Sequence, residues 1–81
     1  MKLWLLRPID DKAPPWSPWY DKCFGMVIRA ESQFDARAIA MEWANSECNA
    51  AWQSESLSSC EELTVDGPAQ PIMLDIRWRN A

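Results

Sequence analysis

The chain has 81 residues, 48% of them apolar and 25% charged, with a formal net charge of −4. That balance excludes a disordered polyelectrolyte, and no apolar run approaches the roughly 18 residues a membrane span requires. One small α+β domain over 1–81 is expected. Chains of this size bury only about 60% of their unfolded surface, so the six Trp must carry much of the core.

Charge is unevenly spread. Residues 1–30 hold five Lys/Arg against three Asp, whereas 31–75 hold nine Asp/Glu against Arg37 alone. An acidic middle lacks the basic footprint of direct nucleic-acid binding and suits attraction to a basic protein surface. Its plainer role is a solubilising face. The opening MKLWLLRPID is too short for a secretory signal and has no cleavage site, so the cytoplasm is the expected compartment.

In chain order, Lys2–Arg7 reads as a strand ended by Pro8, with Leu3 and Leu5 on one face and Lys2, Trp4 and Leu6 on the other. Apolar residues on both faces fit a central strand, or an edge strand whose Trp4 a loop covers. Asp10–Tyr20 is a loop in which Pro14, Pro15 and Pro18 interleave with Trp16, Trp19 and Tyr20. Its rings either fold back over the sheet or stand out as interface anchors.

Phe24–Ala30 alternates as a second strand and hands over to a helix capped by Ser32, with Asp35 in the first turn. At about 100° per residue, Ala36, Ile39, Ala40 and Trp43 share the face expected on the sheet. Phe34, Ala38 and Met41 form a second stripe, covered by the Pro/Trp loop or used for self-association. Asp35, Arg37 and Glu42 lie between the two. The helix is expected to end near Ser46–Asn49.

Ala50–Ser59 reads as a Ser-rich loop with Trp52 as a packing anchor. Leu57–Thr64 is read as a short edge strand or irregular piece, although Ser58-x-x-Glu61 also fits a helical cap. After the Asp66-Gly67-Pro68 turn, Ile72–Trp78 alternates cleanly as a last strand, with Ile72, Leu74, Ile76 and Trp78 inward. The order β-β-α-(β)-β implies three or four mainly antiparallel strands with one main helix on one face.

Chemistry is sparse. There is no histidine, so the commonest general base and the strong zinc patterns are missing. Cys23, Cys48 and Cys60 form no CxxC and an odd set, which argues for reduced thiols, and the acidic surroundings of Cys48 and Cys60 are expected to raise their pKa. Asp10-Asp11 and Glu61-Glu62 are adjacent pairs whose members diverge on any regular element, so they read as solvated charge. Gly25 and Gly67 cannot make a phosphate-cradling loop. The expectation is a non-enzyme without cofactor or metal.

Gly25–Ser32 (GMVIRAES), then Ala36-Arg37 and Ala40, then Trp52 and Ser59–Leu63 (SCEEL) resemble a family of small phage and prophage proteins. That family has a GxVVRA-type strand, an AR-x-x-A helix and a downstream W…SC-x-x-L element. The likeness covers roughly residues 19–64, and its motifs contain no catalytic group. It implies a phage accessory protein, a class that includes anti-CRISPR and other anti-defence inhibitors binding a host defence protein.

Together, charge and resemblance predict a docking surface of Trp16, Trp19, Asp35, Glu42, Glu47, Glu55, Glu61 and Glu62 against a basic surface of a host defence complex. The competing expectation is a phage structural or assembly protein that forms a homodimer or larger oligomer through Phe34, Ala38 and Met41.

Overall fold

Strand β1 (Lys2–Pro8) is the middle of the sheet. A computed structural model describes residues 1–16, 23–44 and 49–74. On one side β1 pairs antiparallel with β2 (Met26–Ala30), Trp4 opposite Ile28; on the other it pairs antiparallel with β3 (Ser58–Leu63), Leu6 opposite Cys60. The order is therefore β2-β1-β3. The two outer strands run parallel to one another with β1 between them, and helix α1 (Gln33–Trp43) and a 3₁₀ helix (Asn49–Gln53) lie in the connection.

Apolarity on both faces of β1 explains its central place. Trp4 and Leu6 enter the core on the α1 side with Ile28, Ala30, Ala36, Ala40, Ala51, Trp52 and Trp16. Leu5, on the opposite face, is buried as well. Trp4 spends its ring N–H on Ala30 O at 3.1 Å, which ties β1 to the end of β2. Trp16 and Trp52 meet edge to face, centroids 5.5 Å apart and planes at 76°.

Helix α1 starts as its sequence dictates. Ser32 is extended and its Oγ accepts from Asp35 N at 3.2 Å, relieving one of the orphan donors of the first turn. Replacing Ser32 by Ala is expected to cost about 1 kcal/mol of stability in a urea melt. A melt unchanged by the substitution would show that water replaces the hydroxyl at no loss.

Several expectations need correction. The helix stops at Trp43 rather than near Ser46–Asn49: Ala44 is already extended, at φ −73° and ψ 159°. The last turn has no basic residue and contains Glu42, whose charge opposes the negative end of the helix dipole. The buried face is also turned about the axis. Ala36, Arg37 and Ala40 point inward, while Trp43 is 80% exposed and Ile39 only half-buried. Arg37 takes the inner place because its guanidinium finds a set of backbone acceptors there.

The strand expected over Ile72–Trp78 does not form in its described part. Ile72, Met73 and Leu74 are irregular and exposed, and the rest lies outside the described residues. Pro68 and Pro71 lack the N–H groups a ladder would use. Instead this segment brings the end of Met73 against Gly25, where a side-chain methyl would overlap it.

Candidate protein-binding surface

The polar centre of the fold is structural. Arg37 Nη1 donates to Trp52 O at 2.9 Å, Ser58 Oγ at 2.8 Å and Ser54 O at 3.4 Å, and Nη2 donates to Ser58 O at 3.0 Å. Ser58 Oγ in turn donates to Ala51 O at 2.8 Å, with Ser54 O at 3.1 Å also within reach. One guanidinium thus closes the end of the 3₁₀ helix and fixes where β3 begins. Gln33 Nε2 adds a bond to Cys60 O at 3.1 Å, joining the first turn of α1 to the same strand.

Burying Arg37 has an electrostatic consequence. It is the one cation among residues 31–74, and it is withdrawn from solvent. Glu31, Asp35, Glu42, Glu55, Glu61, Glu62 and Asp66 all remain exposed. The surface of this stretch therefore displays carboxylates with no cation of its own.

The expected docking residues separate into groups. Trp16 is in the core, 1% exposed, its ring N–H donating to Cys23 O at 3.2 Å; the loop folds back here, and Trp16 is removed from any accessible surface. Trp19 and Glu47 lie outside the described residues. Glu61 bonds Arg7 at 3.0 Å and Glu62 pairs with Lys2 at 3.6 Å, both across the β1–β3 ladder, so their charge is partly spent. Glu55 stands in the turn before β3. Asp35 and Glu42 share the outer side of α1.

Beside those two carboxylates are large apolar groups. Phe34, beside Asp35, is 79% exposed, and Trp43, beside Glu42, is 80% exposed at the other end of α1 and nearly opposite Phe34 about the axis. Of the proposed self-association stripe, Phe34 is exposed while Ala38 and Met41 are half-buried. Two contiguous grooves run between α1 and β2. One, of about 470 Å³, is lined by Met26, Val27, Ile28, Arg29, Ile39 and Trp43. The other, of about 300 Å³, is lined by Met1, Ala30, Glu31, Asp35 and Ala38, and shares Arg29 and Ile39 with the first.

Other chemistry is limited. Cys23 and Cys60 are free, half-buried thiols, and Cys48 lies outside the described residues. Burial pushes the Cys60 thiol up, and Arg37 opposes that rise; the acidic neighbours expected to cause it do not. Less thiolate is present at neutral pH than an ordinary cysteine would offer. Among the described residues, no group of three or more His, Cys, Asp or Glu could hold a metal ion, and no helix is long and apolar enough to cross a membrane. Compared with protein-family models, curated proteins and solved structures, the chain matches none.

Proposed function

We propose that the protein is a non-enzymatic binding module of phage type. It docks a basic surface of a bacterial defence complex in the host cytoplasm and blocks it. The observation that carries this reading is the burial of Arg37, which leaves Asp35 and Glu42 unopposed by any cation of the 31–74 stretch beside the exposed rings of Phe34 and Trp43. Carboxylates steer a basic partner, and exposed aromatics supply contact area once it arrives. The resemblance of the strand, helix and SCEEL segments to phage accessory proteins supplies the class of target.

Charge reversal tests it. Asp35→Lys combined with Glu42→Lys is expected to weaken inhibition of the target complex by roughly tenfold or more, with an unchanged circular-dichroism spectrum. Binding that survives the reversal overturns the reading, as does failure to inhibit any basic nucleic-acid-handling complex of the host. The assembly alternative is favoured by one feature, the exposure of Phe34. It predicts concentration-dependent association in sedimentation that Phe34→Asp abolishes.

A further inference from the structure

The edge of β2 that faces away from β1 has no strand beside it among the described residues. An open edge presents unpaired N–H and C=O groups, a template for another extended chain. Here the edge adjoins the two grooves along α1, which share Arg29 and Ile39 and so form one trough. We propose that this trough receives an extended segment of the protein partner, added antiparallel to β2 as an extra strand. The inference rests on the binding-module reading and specifies the shape and chemistry of what is bound.

The trough dictates the segment's side chains. Directly opposed residues of an antiparallel pair point to the same face of the sheet. Ile28 and Ala30 face α1, whereas Val27 and Arg29 face the other way. A partner residue opposite Ile28 therefore meets Ile39 and Trp43, and one opposite Met26 meets the same apolar end. A residue opposite Ala30 comes level with Glu31 and Asp35, where a Lys or Arg is favoured. A residue opposite Arg29 is best acidic, and one opposite Val27 apolar.

Antiparallel addition reverses the order along the partner. Its segment reads, from its amino end, basic, acidic, then three apolar residues. Main-chain bonds to β2 supply affinity and the alternate side chains supply selection.

A second copy of the chain fits this trough poorly. Two-fold pairing of β2 with itself about Ile28 places Val27 opposite Arg29, so no acidic residue meets the guanidinium. It also draws together two molecules that each carry a net charge of −4.

The test is a synthetic peptide with Lys-Glu-Ile-Val-Leu between Gly-Ser flanks, titrated into isotope-labelled protein and followed by amide shifts. Saturable shifts are expected over Met26–Ala30 and at the Trp43 indole. Arg29→Glu is expected to weaken binding roughly tenfold, and a peptide with Lys in place of its Glu to recover the loss on that variant.

No shifts up to about 1 mM peptide overturn the proposal. So does equal binding by a peptide with Pro opposite Ile28, or an affinity unmoved by Arg29→Glu. Shifts over Met26–Ala30 that follow protein concentration without peptide assign the edge to a second copy and also overturn it. If the peptide fails while Asp35→Lys with Glu42→Lys still abolishes inhibition, strand addition falls and the binding-module reading stands. If the peptide binds while that charge reversal leaves inhibition intact, the acidic-face reading falls instead.

Discussion

Trp52→Ala is expected to leave little folded protein at room temperature. The side chain is fully buried and meets Trp16 edge to face. Truncating a buried aromatic costs about 3–5 kcal/mol, against a total stability of about 5–15 kcal/mol for ordinary domains. A domain this small sits toward the low end of that range. Trp52→Phe should behave differently. The ring N–H of Trp52 is buried without an acceptor among the described residues, a defect worth about 1–3 kcal/mol, and Phe removes that donor while keeping most of the packing. Urea unfolding read by circular dichroism separates the two variants. An Ala variant within about 1 kcal/mol of the parent would mean that the Trp pair does not hold the core together.

Arg37→Met is expected to be nearly as damaging, for a polar reason. The side chain is buried, and its hydrogen bonds among the described residues all go to neutral oxygens, those of Trp52, Ser54 and Ser58. Met keeps much of the volume but strands those acceptors, and the loss should be about 3 kcal/mol. Arg37→Lys should restore only part of it, because one ammonium cannot span the arc that the two Nη atoms cover.

Burying a charge also carries a desolvation cost, and buried ionic groups replaced by apolar ones are sometimes neutral. The outcome that refutes this account is a Met variant as stable as the parent. Pairing Arg37→Met with Ser58→Ala in a double-mutant cycle should show strong coupling, since Ser58 Oγ accepts from Arg37 and passes the network on to Ala51 O.

The parts of the fold legible in the sequence were those set by local chemistry. Ser32 could be read as a cap because the bond it makes is to a residue three places on. The apolar run Trp4, Leu5 and Leu6 narrows β1 to a central strand or a loop-covered edge strand, and pairing on both of its sides decides for the first. The inward turn of Arg37 was not legible, because charged side chains are almost always solvated and a helical wheel assigns them outward. A signal was present nonetheless. Gln33, Ala36, Arg37, Ala40 and Ala44 form one stripe at helical spacing, and the Ser-rich run after Trp52 offers the acceptors an inward arginine needs.

The alternation of Ile72–Leu74 misled for the opposite reason. Its pattern suits a strand, but a strand needs a partner edge as well as a pattern, and among the described residues these three have none. For the binding surface, the acidic character was plain in the sequence. The division between Glu61 and Glu62, held by Arg7 and Lys2, and Asp35 and Glu42, which have no ion pair among the described residues, was not, because it depends on which strands lie side by side.

The placement of β1 between its two neighbours bears on how the chain is made. Leu3 leaves the ribosome sixty residues ahead of Leu63, yet the two are cross-strand partners. Until synthesis passes that point, one flank of β1 is bare and the Arg37 guanidinium lacks its Ser58 oxygens. Contacts this distant along a chain close slowly. A nascent chain stalled before Ser58 would therefore be prone to associating with other unfinished chains, and successful maturation depends on completing translation promptly.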